Sequence, residues 1–150
     1  MTITPGALQQ AAAVPVRRGQ VCVVTSRNGR RWVVPKGCLE PGKTASEIAL
    51  QEAWEEAGLV GVLHPDPVGS YLYDKGGITC HVLVFLLYVT EVCDAYPEDS
   101  FRERVWLSPV QAVARVEDRG LCEILRGVLL ARVSPSRPPV GVLPGLFLDQ

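Results

Sequence analysis

The chain has 150 residues, 47% of them hydrophobic and 21% charged, with a formal net charge of -1 at pH 7. That length suits one domain with a real core, and the near-zero charge excludes a global field for nucleic acid or an anionic membrane. Five cysteines, an odd number with no C-x-x-C pair, exclude a disulfide framework and a zinc site. Met1 to Val16 has no secretory pattern, and the longest apolar run, Val82 to Val89, is far shorter than the ~20 residues of a membrane helix. A reducing cytoplasm is the expected location.

Residues 1–10 read as a loose arm. Short β runs follow: Ala11–Val16, then Arg17-Arg18-Gly19, then Gln20–Thr25, then Arg27-Asn28-Gly29, where Asn-Gly signals a turn. Arg31–Val34 is a third short strand, ended by Pro35. Gly37 to Lys43 carries Gly37, Pro41 and Gly42 and is expected to be a loop. A helix is predicted over Ala45–Ala57, with Thr44 and Glu47 as a capping box and Gly58 as the residue that ends it. Val68–Tyr73 is a predicted strand, Asp74 to Gly77 a turn, and Thr79–Val92 a long β-branched and aromatic strand. Tyr96–Ser100 is an acidic loop and Arg104–Leu107 a last strand. Ser108-Pro109 starts a helix, and another should run from Asp118 to Arg132. From Ser134 on, Pro135, Pro138, Pro139 and Pro144 predict an irregular tail. The expected organisation is an arm (1–10), one domain (11–133) and a Pro-rich tail (134–150). The order of elements gives an α+β class, an α/β/α sandwich around a mixed sheet.

Chemistry concentrates between Gly37 and Leu59. Glu52, Glu55 and Glu56 stand at i, i+3 and i+4 and share a helix face. Leu50, Ala53, Trp54 and Ala57 are expected on the opposite side, packed on a sheet. Three crowded carboxylates repel unless cations neutralise them, and oxygen ligands suit hard cations such as Mg²⁺ or Mn²⁺. Alone, the pattern also describes a solvated acidic face. The preceding Pro35-Lys36-Gly37 and its Gly/Pro loop change that, because loop backbone can close a cation site beside a place for phosphate.

This stretch resembles the Nudix box, G-x5-E-x7-R-E-U-x-E-E-x-G-U, where U is aliphatic. Gly37, Glu52, Glu55, Glu56, Gly58 and Leu59 match it, and Ala53 matches weakly. Lys43 stands where the box has Glu, and Gln51 where it has Arg. Trp32 to Gly37, Val89 to Val92, Glu98-Asp99-Ser100 and Arg104-Val105-Trp106 also resemble diadenosine polyphosphate and diphosphoinositol polyphosphate hydrolases. The resemblance implies a Nudix fold, its mixed sheet flanked by the box helix and C-terminal helices, and a hydrolase of phosphorus-containing anhydrides using Mg²⁺ or Mn²⁺. It implies that Glu52, Glu56 and the backbone carbonyl of Lys36 hold the principal metal. Glu55 is then a further metal ligand or the base, so the implied catalytic set is Glu52, Glu55 and Glu56. In the family, the Arg before the first helix Glu helps orient a catalytic carboxylate. Lys43 either reaches back to a helix Glu in its place or is a solvated loop lysine.

By the same resemblance, Ser26 and Arg27 match a phosphate-contacting Ser/Arg segment and Arg102 falls near a phosphate-contacting arginine, with Gly37 also at the substrate and Lys36 and Lys75 as weaker candidates. The diphosphoinositol enzymes carry a basic cluster where this chain reads Leu8-Gln9-Gln10. Tyr71, Tyr73, Phe101 and Trp32 are available to stack on a base, while Trp54 and Trp106 are expected in the core and His64 and His81 in structural roles. The implied function is Mg-dependent pyrophosphohydrolysis of a dinucleoside polyphosphate or diphosphoinositol polyphosphate. The alternatives are a house-cleaning nucleoside triphosphate pyrophosphohydrolase and a nucleotide-binding regulatory module with a degenerate box. The expected partner is a phosphorylated small molecule, with no membrane and no specific nucleic acid. The apolar stretch Val140–Leu148 allows a homodimer.

Overall fold

The computed structural model describes residues 6–130. The expectations for residues 1–5, for the Pro-rich tail and for Val140–Leu148 lie outside the described residues. The chain order is β1 (Leu8–Arg17), β2 (Gln20–Thr25), β3 (Trp32–Val33), β4 (Lys36–Cys38), α1 (Ala45–Ala57), β5 (Leu59–Leu63), β6 (Gly69–Lys75), β7 (Ile78–Val92), β8 (Arg104–Leu107), α2 (Pro109–Arg115) and α3 (Arg119–Leu125). A π-helical turn, Arg126–Leu130, follows α3.

One mixed sheet runs β3-β2-β1-β7-β5, with β4 also on β1, β6 on β7 and β8 on β2. Its centre is the parallel pair β1 and β7, in register from Leu8 opposite Cys80 to Val16 opposite Tyr88. Strands buried on both faces read as continuous apolar runs rather than alternating ones, which explains the Ala11–Val16 stretch. Ala12, Val14 and Val16 face a core shared with Leu121 and Leu125 of α3. Ala11 and Ala13 face α1, against Ala49, Ala53 and Ala57. Alanine on both surfaces lets α1 approach β1 closely, and that approach brings the helix carboxylates over β4.

Helix α1 has the expected limits because both ends are specified locally. Thr44 and Glu47 complete the capping box, and Gly58 takes the left-handed conformation with φ 67°, where its N–H meets the carbonyls of Ala53 and Trp54. Its buried face departs from expectation. Ile48, Ala49, Ala53, Glu56 and Ala57 are buried, whereas Leu50 and Trp54 are each 38% exposed. At 3.6 residues per turn, Leu50 and Trp54 form a stripe turned away from the sheet. Trp54 is therefore not a core residue, and a glutamate takes a place in the interior.

Other boundaries also moved. β1 begins at Leu8 rather than Ala11, because residues 8–10 pair with β7 and Gln10 also faces Cys38 of β4. Lys36–Cys38, expected to be loop beyond Lys36, is a short strand held by β1. β5 was not anticipated and forms an edge on β7. The helix expected from Asp118 to Arg132 is α-helical from Arg119 to Leu125 and π-helical from Arg126 to Leu130, and its last two residues lie outside the described residues. The π-helical turn contains Gly127, a poor helix former.

Candidate active site

A cleft of 630 Å³ opens where α1 crosses β4 and the β2–β3 hairpin meets the loop before β8. One wall is acidic, carrying Glu52, Glu55, Glu56 and Glu98, and the other carries Arg27, Arg31, Lys36 and Lys75.

The acidic wall rests on β4. A Cβ at position 37 would lie 2.5 Å from Glu52 Oε2, so only glycine leaves room for that carboxylate. The Lys36 N–H donates to Glu56 Oε1 at 3.4 Å. Glu56 is 6% exposed, and its charge is answered by Arg102, whose Nη2 lies 3.4 Å from Glu56 Oε2. Arg102 also donates from Nε to Glu98 Oε1 at 2.6 Å and from Nη1 to the Thr25 carbonyl at 2.7 Å. The Glu98 N–H in turn donates to the Glu55 carbonyl at 2.9 Å. The loop before β8 is thereby tied to α1.

The electrostatics follow from crowding. Glu52 is pushed up to about 8, first by burial, then by its hydrogen bond to Glu56 and by repulsion from Glu56, Glu55 and Glu98. Glu56 is also raised, by burial, with Arg102 opposing. The two carboxylates touch, so the protonation of one affects that of the other. Lys36 is lowered by burial, against the pull of Glu56 and Asp118. Among the described residues no three Asp, Glu, His or Cys side chains already ring one point. The fit to a hard cation lies in the donor set: two carboxylates in mutual contact, main chain at Lys36 against one of them, and a repulsion that a cation relieves.

Of the residues singled out in the sequence, Glu52, Glu55, Glu56, Ser26, Arg27, Lys36, Gly37 and Arg102 all line the cleft. Their orientations differ. The Ser26 hydroxyl donates to Asn28 Oδ1 at 2.8 Å and accepts from the Arg31 N–H at 3.1 Å, so it holds the hairpin turn. The Arg102 side chain is 7% exposed and committed to carboxylates and a carbonyl. In this geometry its donors are turned to buried Glu56, to the partly buried Glu98 and to a carbonyl. Arg27 lies 5.2 Å from the Phe101 ring centroid, and Lys36 Nζ 5.2 Å from that of Tyr73. Tyr73 Oη donates to Gln10 Oε1 at 2.8 Å, whereas Tyr71 is buried and offers no stacking face.

Lys43 and Gln51 do not line the cleft. Lys43 Nζ donates to Gln51 Oε1 at 2.5 Å and lies 3.9 Å from Glu40. The partner of Lys43 on α1 is therefore Gln51, not a glutamate, and the two departures from the box meet each other. The sequence reading missed Arg31, which it counted only as strand, and Glu98. The signal for Glu98 was there in the acidic Tyr96–Ser100 loop. His64 turns to Asp66, and buried His81 sits 2.9 Å from Gln9 Oε1.

Fold and site together define a class: a mixed sheet between helices that sets a carboxylate-bearing helix over a glycine-containing strand, facing a cationic wall. A model of the NUDIX domain matches residues 7–124, and the chain belongs to that family. It is 37% identical over 123 residues to Nudix hydrolase 12, mitochondrial, of Arabidopsis thaliana, covering 74% of this chain and 61% of the relative. It is 33% identical over 116 residues to Nudix hydrolase 17, mitochondrial, of the same plant, covering 77% and 63%. The chain thus spans less than two thirds of the length of these curated relatives. The fold is similar to that of the C. elegans Ap4A hydrolase, with a TM-score of 0.68 at 20% identity, covering 83% of this chain and 99% of that one. It is also similar to the E. coli ORF135 protein, with a TM-score of 0.67 at 20% identity, covering 88% and 94%. No helix among the described residues is long and apolar enough to cross a membrane.

Proposed function

We propose that this chain is a Mg²⁺- or Mn²⁺-dependent pyrophosphohydrolase that cleaves a phosphoanhydride bond in a polyphosphorylated compound, a dinucleoside polyphosphate or a diphosphoinositol polyphosphate. The observation that carries the reading is one cleft lined both by carboxylates, on α1 and the loop before β8, and by Arg and Lys of the β2–β3 hairpin, β4 and β6. A phosphate chain and a divalent cation together match that division of charge. The names of the Arabidopsis relatives and of the C. elegans structure agree with it.

Glu52, Glu56 and the Lys36 carbonyl would hold the cation. When bound, the cation neutralises charge on the bridging phosphates and acidifies a coordinated water. Glu55, on the same face and lining the cleft, serves as a further ligand or takes the proton of the attacking water. As the water oxygen bonds to phosphorus, the bridging P–O bond breaks and the leaving phosphate departs with its electron pair. Arg102 keeps Glu56 and Glu98 in place, while Arg27, Arg31 and Lys75 meet the phosphates. A ligand-binding module with a decayed box was suggested by Lys43 and Gln51 alone. Both residues lie off the cleft, and all three box carboxylates remain in it.

The test is product release with Mg²⁺ from a panel of diadenosine polyphosphates, diphosphoinositol phosphates, nucleoside triphosphates and sugar nucleotides. Glu56→Gln is the control. Turnover of one polyphosphate class, reduced ~10³-fold or more in the variant, is the expected result. Binding without turnover of any compound would overturn the enzyme reading.

A further inference from the structure

Among the described residues, α3 begins differently from α1 and α2. Thr44 and Ser108 each complete a capping box at the start of α1 and α2. Asp118 occupies the same position at α3, and its carbonyl accepts from the Cys122 N–H at 2.9 Å, yet its side chain caps nothing. Aspartate is among the best N-cap residues, and a side-chain cap stabilises the helix it starts. Here the carboxylate faces the cleft's basic wall instead, with Oδ1 3.4 Å from Arg31 Nη1. Asp118 is 11% exposed at its side chain and Arg31 38%, so the arginine reaches from the opening back to a largely buried anion. Lys36 also lies within the field of Asp118.

Arg31 is fixed at both ends. Its N–H donates to Ser26 Oγ, its carbonyl accepts from the Ser26 N–H at 2.7 Å, and its guanidinium meets Asp118. A side chain held this way loses little freedom when an anion arrives.

Resting on the polyphosphate reading above, we infer that Asp118 is a positioning residue for substrate. It forgoes its helix cap to hold Arg31 in the wall that receives the phosphates not bound by the cation.

The discriminating variant is Asp118→Ser, in which serine can still cap α3. A merely structural aspartate would then be replaced without loss. Binding of inorganic tripolyphosphate to the full chain in Mg²⁺ is measured by calorimetry for the wild type, Asp118→Ser, Arg31→Ala and the double variant. Melting temperatures are recorded beside each. The expected result is an unchanged or higher melting temperature for Asp118→Ser with tripolyphosphate bound about threefold to tenfold more weakly. The double variant should lose no more than Arg31→Ala alone, because one interaction is removed twice. With a compound turned over in the panel, the loss should fall on KM rather than kcat, and Asp118→Glu should recover part of it. Wild-type binding by Asp118→Ser, or fully additive losses, would overturn the positioning role. Insensitive binding in an enzyme that still hydrolyses condemns this inference alone. Sensitive binding without any hydrolysis supports it and condemns the hydrolase reading.

Discussion

The two walls of the cleft are built in opposite ways. The acidic wall comes mainly from one turn and a half of one helix, whose ends are fixed by Thr44, Glu47 and Gly58. The basic wall is assembled from the β2–β3 hairpin, β4 and the end of β6, with Asp118 behind it. A site written into contiguous residues keeps its geometry through local rules. A site gathered from distant strands depends on the whole sheet. In the proposed function the cation is held largely within one contiguous segment, whereas the phosphates are met by residues from several strands.

The largest expected effect breaks the seam between the walls. Arg102→Ala removes the counter-charge of Glu56 and Glu98 from a nearly buried position, and losing one partner of a buried pair costs about 3–5 kcal/mol. Denaturant unfolding should register most of that, and an unchanged midpoint would show that the carboxylates do not need the arginine. Next comes Gly37→Ala, which drives a methyl into the Glu52 carboxylate. Cation affinity and kcat should fall about 10–100-fold, as for other disturbed ligand supports, with far less change in folding, as read by Mn²⁺ titration.

A smaller effect follows from titration. The folded-state value of Glu52 lies above its ordinary 4.5, at about 8. The cation-free fold therefore holds that proton more tightly than the unfolded chain does. Its contribution to stability is complete below about pH 4.5 and is lost as pH rises toward 8. Saturating Mg²⁺ should flatten or reverse that slope, since ligation requires the charged carboxylates. Melting curves between these pH values, with and without Mg²⁺, check it, and parallel curves would refute the cation assignment. The smallest effect belongs to Lys43→Ala. Its contacts to Gln51 and Glu40 are exposed, so stability should shift by less than about 1 kcal/mol and kcat by little. A large loss of kcat would return the box departures to the centre of the mechanism.

Legibility in the sequence followed the same division. The limits of α1 and the carboxylates of the box were readable because capping and helical periodicity act over a few residues. The inward side of α1 was misjudged at Leu50 and Trp54. Ile48 and three alanines, not Leu50 and Trp54, form the buried face, and Glu56 is buried with them. β4 was hidden because three residues containing Gly37 carry no strand pattern and are held only by their partner β1. Arg102 was placed beside the phosphates by resemblance, and no local pattern shows its ion pair with Glu56, far earlier in the chain. Arg31 and Asp118 are 87 positions apart, and no local rule joins them.

The parallel pairing of β1 with β7 has a consequence in time. Leu8 finds Cys80, and Val16 finds Tyr88, only after every box residue has been synthesised. Helix α1 can form in well under a millisecond, whereas such distant strand pairing is slow. A nascent chain halted before Tyr88 would carry the whole acidic motif yet lack the floor beneath it. Ribosome-stalled fragments of that length should be cut readily by protease, and full-length chains should resist.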